Sequence, residues 1–150
     1  MVALKLDYDC GKDELLRRFS NGLKAIRRVQ LSKMPETLKL LIHVTEVKAT
    51  RKGYHVCIHY VDDIALNGSG ANNQIQLEPA IKYYIVNLQT ILGSDITRSF
   101  FDARRIYKGE KVYNLLFDYK SGQQFVADAH LQKELNCMID KVFYNGANSD

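Results

Sequence analysis

Residues 60–63 read Tyr-Val-Asp-Asp, so two adjacent carboxylates, Asp62 and Asp63, end a stretch of alternating apolar residues. Paired carboxylates can hold two divalent ions about 3.5–4 Å apart, which stabilise the attacking and the leaving oxygen of a phosphoryl transfer. One adjacent pair alone is not such a site, because the carboxylates of a two-metal site converge from separate strands. Asp7 or Asp9 could supply a third carboxylate from an earlier strand.

These four residues resemble the Tyr-x-Asp-Asp signature of reverse transcriptases and related polymerases. The order of a strand, a helix and a hairpin is also similar to that of the polymerase palm. The resemblance implies a metal-dependent nucleotidyl-transfer enzyme that uses Asp62 and Asp63. The chain is short for the fingers and thumb that hold a primer and template, and no glycine-rich or lysine-bearing triphosphate motif is evident. We therefore expect the two aspartates to end a strand rather than to bind metal.

A second set of potential ligands comprises His55, Cys57 and His59, which alternate with apolar residues. Side chains at positions i and i+2 of a strand lie on one face of the sheet, and His43 could join them from across a hairpin. Two imidazoles and a thiolate could bind zinc. Such side chains are about 7 Å apart along a strand, and no further acidic or thiol ligand is evident. We expect no metal and no cofactor.

The composition is that of a globular protein with a buried core, since 46% of the 150 residues are hydrophobic and 25% are charged. We expect one domain over residues 1–144 and a flexible tail over residues 145–150. The net charge of +4 is small for a dedicated nucleic-acid-binding domain. Three widely spaced cysteines form no disulfide framework. With no signal peptide and no long apolar run, we expect an intracellular protein, cytoplasmic or nuclear, without a membrane span.

The hydrophobic pattern divides the first half of the chain into a strand, a helix and a hairpin. Residues 2–9 alternate as in a strand, and residues 13–30 place apolar side chains at helical spacing. Residues 37–50 and 54–66 alternate on either side of a turn that contains Gly53, which predicts two long paired strands.

The second half of the chain is less regular. Residues 74–92 fit a strand and a helix opened by Pro79 comparably well, and we favour a strand because Tyr, Ile and Val dominate the middle of the segment. Residues 100–107 and 112–119 predict a second hairpin, and residues 123–143 a final amphipathic helix. These elements predict an α+β fold, in which an antiparallel roll of hairpins packs against an N-terminal amphipathic helix and a long C-terminal helix.

This layout resembles that of the phosphotyrosine-binding/pleckstrin-homology superfold over most of the chain. Residues 2–30 are similar to the first strand and the helix of such domains, and residues 36–44 to their second strand. Residues 98–143 are similar to their last hairpin and closing helix. The resemblance implies peptide recognition, in which a linear peptide adds a strand to an open sheet edge beside the closing helix.

The favoured interpretation is a non-enzymatic interaction module, either an adaptor or a subunit of a complex, whose partner is a protein or peptide. The partner would bind between the C-terminal helix and a sheet edge within residues 83–92. The side chains predicted to line this groove are Tyr83, Ile85, Leu135, Ile139 and Phe143.

The alternative partner is a nucleic acid, contacted through two clusters of basic residues. The first cluster lies on the outer face of helix 13–30 and comprises Arg17, Lys24 and Arg28, flanked by Arg18 and Arg27. The second cluster comprises Arg98, Arg104, Arg105, Lys108 and Lys111, interleaved with Phe100, Phe101, Tyr107 and Tyr113. Aromatic rings between cations can stack on bases. Alternation in a hairpin would instead turn these rings towards the core, which is the arrangement we expect.

Overall fold

The computed structural model describes residues 2–33, 41–61, 79–110, 113, 119–120 and 123–144 of the chain. In these residues four α-helices accompany a four-stranded antiparallel sheet and a two-stranded ribbon, so the predicted α+β class is confirmed. The helices are α1 (Lys12–Lys33), α2 (Pro79–Ile91), α3 (Ile96–Tyr107) and α4 (Ala129–Ile139), and α4 continues into a π-helical turn (Asp140–Tyr144). The strands are β1 (Val2–Tyr8), β2 (Leu41–Ala49), β3 (Tyr54–Val61), β4 (Tyr119–Lys120), β5 (Gln123–Gln124) and β6 (Val126–Ala127).

The main sheet has the strand order β1-β3-β2-β6, and all its neighbouring strands are antiparallel. The predicted first hairpin is therefore confirmed over β2 and β3, while its expected extensions, residues 37–40 and 62–66, lie outside the described residues. The register of β2 shifts by one residue between Val44 and Glu46, so Thr45 is the extra residue of a bulge. The bulge keeps Val44 and Val47 on the buried face of the sheet and Glu46 on the other.

One face of the sheet forms the core. Alternate residues of the three long strands lie on this face and are buried: Leu4, Leu6, Tyr8, Val44, Val47, Val56 and Ile58. They belong to one hydrophobic cluster with the apolar stripes of two helices, which are Leu15, Phe19 and Leu23 of α1 and Leu131, Leu135 and Ile139 of α4. Burying an aliphatic or aromatic side chain contributes about 1.5–3 kcal/mol, so this cluster is the main source of stability for the part of the chain described here.

The β1 edge of the sheet is covered by main-chain and side-chain hydrogen bonds from α2 and the turn that follows it. The Lys5 N–H donates to Gln89 Oε1 at 3.1 Å, and the Asp7 N–H donates to Ser94 Oγ at 2.9 Å. The Asp95 N–H in turn donates to the Asp7 carbonyl at 2.6 Å. Strand edges with unpaired main-chain groups recruit other strands, and here these groups have partners within the chain.

The β2 edge is covered in a similar way by α4. Asn136 makes a two-way contact with Val44, because its Oδ1 accepts the Val44 N–H at 2.8 Å and its Nδ2 donates to the Val44 carbonyl at 3.0 Å. The Asp128 N–H donates to the Val47 carbonyl at 2.8 Å, and β6 pairs with Lys48 and with the next residue of β2. Side-chain amides of α4 thus cover this edge at Val44, and the start of α4 and β6 cover it from Val47 onwards.

The predicted strand in residues 74–92 is wrong over its described part, which is α2. Ile85, Leu88, Gln89 and Leu92 are buried, at the spacing of a helix face rather than of a strand. The β propensity of Tyr, Ile and Val reflects packing more than a backbone preference, so a buried helical face overrides it. Residues 74–78 lie outside the described part of the chain.

The predicted second hairpin is also wrong, because its first half is α3. Asp95 caps this helix, since its carboxylate accepts the Thr97 N–H. Gly109 has a φ of 76° and its N–H donates to Ile106, as a glycine at a helix C-terminus does, so this residue ends a helix instead of turning a hairpin. In the predicted second strand, residues 112–119, the structure describes Tyr113 and Tyr119, and the rest lies outside the described residues.

The C-terminal helix exists but begins later than predicted. Asp128 Oδ1 accepts the Leu131 N–H at 2.9 Å, and this cap starts α4 at Ala129. Residues 123–127 form β5 and β6 with one residue between them. The expected flexible tail, residues 145–150, lies outside the described residues. Every helix in the described ranges is too short or too polar to cross a membrane.

Helices α1 and α2 meet at Gly22, where a side chain would collide with main-chain atoms. A Cβ at this position would lie 2.3 Å from the Ile91 carbonyl oxygen and 2.7 Å from the Leu92 Cα. We expect Gly22→Ala to lower the free energy of unfolding by about 1–3 kcal/mol in chemical denaturation, although alanine is the better helix former. Gly11→Ala is the control, since a Cβ there has no neighbour within 4 Å. Equal stability of the Gly22→Ala variant and the wild type would contradict this contact.

Candidate metal centre

Three carboxylates converge at the end of β1. Asp7 is near the end of the strand, Asp9 follows it by two residues, and Asp95 precedes α3. One carboxylate oxygen of each lies within 4.8 Å of the other two. Two separate elements of the fold therefore present three acidic oxygens to a common point.

The main chain brings Asp95 to this point. The hydrogen bond from the Asp95 N–H to the Asp7 carbonyl joins the start of α3 to the end of β1. Ser94, which is buried, adds a second link through its hydroxyl and the Asp7 N–H. The Asp95 carboxylate is oriented by its own capping contact with the Thr97 N–H at 3.4 Å. Asp95 thus serves as a helix cap and as a member of the acidic cluster.

An imidazole lies beside the carboxylates. His55 is directly opposite Asp7 in the β1–β3 register, and its Nε2 is 3.5 Å from Asp7 Oδ1. The His55 side chain is 14% exposed, and the Phe125 ring packs edge-on against it at 5.0 Å between centroids. Lys48 is opposite His55 on β2. A row of an acid, an imidazole and an ammonium group therefore crosses three strands on the sheet face opposite to the core.

A buried ion-pair group lies behind the acidic cluster on α3. Asp102 is fully buried, with its Oδ1 3.1 Å from Arg105 Nη1 and its Oδ2 3.8 Å from Arg98 Nε. Burial raises the pKa of Asp102 to about 6, and the two guanidinium groups oppose this rise. Burial lowers the pKa of Arg98, whereas the charges of Asp102 and Asp7 raise it. Arg98 thus lies within electrostatic reach of the carboxylate cluster as well as of Asp102.

This arrangement suits a hard divalent cation. Like charges within 4.8 Å of one another repel, and a doubly charged ion among them converts this repulsion into attraction. All-oxygen donor sets are typical of Mg²⁺ and Mn²⁺. The imidazole and ammonium groups beside the carboxylates could contact the oxygens of a phosphate bound to such an ion.

The alternative in which Asp7 or Asp9 joins Asp62 and Asp63 gains no support from the register of the sheet. The two aspartates themselves lie outside the described residues. Two positions before Asp62, however, Tyr60 is opposite Val2, whereas Asp7 is opposite His55. Five residues along a strand span about 17 Å. Strand β3 therefore runs away from the acidic cluster towards its Tyr-Val-Asp-Asp end.

The predicted common face of His55, Cys57 and His59 is confirmed by the strand register, and His43 is directly opposite His59. Cys57 lies between Lys5 on β1 and the bulged part of β2. Of these four residues, His55 is the one that contacts the acidic cluster.

The side chains predicted to line a peptide groove belong largely to the core. Ile85, Leu135 and Ile139 are buried, and Tyr83 and Phe143 are half-buried against the same cluster. The expected sheet edge within residues 83–92 does not exist, since the segment belongs to α2 and to the turn after it.

The predicted basic patches are partly exposed. On α1, Lys24 and Arg28 are exposed and Arg17 forms an ion pair with Glu14. On α3, Arg104 is exposed, whereas Arg105 turns inwards to Asp102. The described part of the second basic cluster is thus divided between two sides of one helix, and Lys111 lies outside the described residues.

Sequence reasoning missed Asp95, which completes the acidic cluster. A helix-start signal was available, since an aspartate between a Gly-Ser pair and a helical pattern is typical of an N-cap. That signal marks the start of a helix and says nothing about the distance to Asp7.

Comparisons with known proteins identify no relative of this chain. The chain has no significant match among protein-family models, curated proteins or solved structures.

The buried carboxyl of Asp102 predicts a pH dependence of stability. Because its pKa of about 6 exceeds the ordinary value near 3.9, folding favours its protonated form. This contribution is complete below about pH 4 and is lost as the pH rises through 6. We expect the free energy of unfolding of the wild type, minus that of Asp102→Asn, to fall by on the order of 2 kcal/mol between pH 4 and 7 in urea denaturation. A difference that is constant or that rises with pH would contradict the assignment.

Proposed function

We propose that the protein is a metal-dependent enzyme that transfers nucleotidyl groups, with Asp7, Asp9 and Asp95 as ligands of divalent ions. The observation that carries this proposal is the meeting of three carboxylate oxygens, from β1 and the start of α3, within 4.8 Å. Two-metal phosphoryl transfer needs carboxylates that converge from separate elements around the reacting phosphate.

The reaction would join a hydroxyl group to the α-phosphorus of a nucleoside triphosphate. The hydroxyl oxygen forms a bond to this phosphorus and loses its proton, while the bond to the bridging oxygen breaks and pyrophosphate leaves. Divalent ions on the three aspartates would neutralise the charge of the attacking and leaving oxygens. His55, 3.5 Å from Asp7, would contact a non-bridging phosphate oxygen, and Lys48 on the next strand would do so by exchanging its ion pair with Glu46 Oε1 at 3.3 Å for the phosphate.

The order of elements supports nucleotidyl transfer among the reactions open to such a site. The strand, helix and hairpin that resemble a polymerase palm correspond to β1, α1 and the β2–β3 pair. The acidic cluster lies at the end of β1, beside the turn between β2 and β3, since Tyr8 is opposite Tyr54. In this proposal the catalytic end of the sheet is therefore opposite to the end that carries Tyr60 and Val61.

The peptide-binding interpretation has less support from the described contacts. It needs an open strand edge beside the C-terminal helix. Helix α4 does lie beside a strand edge, but its Asn136 already bonds both main-chain groups of Val44. The opposite edge at β1 is bonded to Gln89, Ser94 and Asp95.

Divalent metal binding is the direct test of the three ligands. We expect Asp7→Asn and Asp95→Asn each to weaken Mn²⁺ binding by about tenfold or more in isothermal titration calorimetry. Asp140→Asn is the matched control, because this exposed residue lies at the far end of α4. Wild-type affinity in both cluster variants would reject the metal centre.

Incorporation of a labelled nucleoside triphosphate into a primed template tests the reaction. We expect product in the presence of Mg²⁺ or Mn²⁺ and a loss of about 100-fold or more in Asp9→Asn, since a bound metal supplies several kcal/mol of transition-state stabilisation. Asp63→Asn should retain activity, because β3 runs away from the acidic cluster. Metal binding without any transfer would keep the metal centre and reject nucleotidyl transfer. Loss of transfer in Asp63→Asn, with Asp9→Asn active, would place catalysis at residues 60–63 instead.

A further inference from the structure

Helix α3 exposes an unusual set of side chains for a short helix at a protein surface. Ile96, Phe100, Phe101 and Tyr107 have exposed fractions of 74%, 63%, 47% and 85%. The opposite side of the helix is buried through Ser99, Asp102 and Ile106. Large exposed apolar groups in one cluster are typical of binding surfaces.

The exposed residues form one stripe along the helix. At 100° per residue, Ile96, Phe100, Arg104 and Tyr107 fall within one quarter of the helix circumference, and Phe101 lies next to them. The Phe100 and Phe101 rings contact each other edge to face, with 5.9 Å between centroids. The exposed Arg104 lies between Phe100 and Tyr107 in sequence, so rings and a cation alternate along the stripe.

From Phe100 to Lys108, the exposed charges of the stripe are positive. Arg104 is exposed, and Lys108 is exposed at the C-cap of the helix. Asp102, the acidic residue within α3, is buried on the opposite side and contacts Arg105. The exposed face of α3 therefore offers positive charge and aromatic surface to an anionic partner.

The stripe begins at the carboxylate cluster. Asp95 caps the helix at the end where Ile96 lies, and Tyr107 is the last residue of the helix. Eleven helical steps span about 16 Å, which is the length of four to five stacked nucleotides at about 3.4 Å each. A strand bound along α3 could therefore place its end at the metal ligands.

We infer that the exposed face of α3, formed by Phe100, Phe101, Arg104, Tyr107 and Lys108, binds single-stranded nucleic acid and leads it to the carboxylate cluster. This inference rests on the proposed function and names the partner of the same site. Aromatic rings interleaved with cations are the means by which proteins bind single strands without sequence preference, through stacking on the rings and contacts with phosphates.

The test is binding of a fluorescein-labelled 20-residue oligothymidylate, followed by fluorescence anisotropy in EDTA. We expect the Phe100→Ala/Tyr107→Ala double variant to bind about 100-fold more weakly, because it loses two stacking contacts and each contributes about a tenfold factor to affinity. Arg104→Ala should lower the slope of log affinity against log salt by about one. These side chains are exposed, so circular dichroism should show unchanged folding.

Two matched controls separate this surface from other parts of the chain. Tyr84→Ala removes a partly exposed ring of α2, and Arg28→Ala removes an exposed cation of α1. Both should bind the oligonucleotide as the wild type does. A larger loss with Arg28→Ala than with Arg104→Ala would move the binding surface to α1 and overturn the inference.

Other results would also overturn it. One is wild-type affinity in the Phe100→Ala/Tyr107→Ala variant, and another is the absence of binding by the wild type at low salt. A dimer in light scattering that the double variant dissociates, without oligonucleotide binding, would assign the face to a second copy of the chain. Binding in EDTA does not depend on catalysis, so oligonucleotide binding by α3 without nucleotide transfer would reject the proposed function and retain this surface.

Discussion

The main-chain groups of β1 that point away from β3 constrain the rest of the structure. An edge strand with unpaired N–H and carbonyl groups is a template for other strands, and β1 meets this constraint with Gln89, Ser94 and Asp95. The third of these bonds brings the start of α3 to the end of β1. The same residue, Asp95, therefore protects the sheet edge and completes the acidic cluster, since its N–H bonds the Asp7 carbonyl and its side chain is the third carboxylate.

The two faces of the sheet carry different side chains, one apolar and buried in the core and the other polar. Leu6, Val56 and Val47 are buried on one face against α1 and α4. Their neighbours Asp7, His55 and Lys48 form a polar row on the other face, because successive side chains of a strand alternate. The bulge at Thr45 preserves this division along β2. The hydrophobic face can therefore fix the backbone of the polar row, against which the Phe125 ring packs at His55.

Helix α3 is similarly divided, although its buried face is polar. Ser99 accepts a hydrogen bond from Thr90 at 2.7 Å, and Asp102 holds Arg98 and Arg105. Polar contacts of this kind fix the orientation of a helix because a buried charge that loses its partner is costly. They hold the buried side of α3 against the protein, and they leave Phe100 and Tyr107 on the solvent side.

The first half of the fold could be predicted because Leu4, Leu6 and Tyr8 alternate cleanly and Gly53 marks the hairpin turn. The second half was predicted wrongly because α2 and α3 contain many strand-favouring residues. The helical spacing of Ile85, Leu88 and Leu92 was given less weight than this composition. For the same reason Phe100 and Tyr107 were predicted to face the core, whereas both side chains are exposed. Asp7 and Asp9 were recognised as possible ligands, but they were considered together with Asp62 and Asp63, which lie outside the described residues. Asp95 is remote from them in sequence and reaches them through main-chain hydrogen bonds, which leave no pattern in the sequence.

We propose that β1 and the start of α3 form one site for divalent ions, and anomalous diffraction from crystals soaked in MnCl₂ can locate these ions. We expect an anomalous peak among the carboxylates of Asp7, Asp9 and Asp95, and no such peak in Asp95→Asn crystals. A peak at residues 60–63 with none at the end of β1, or no ordered ion at all, would rule out this site.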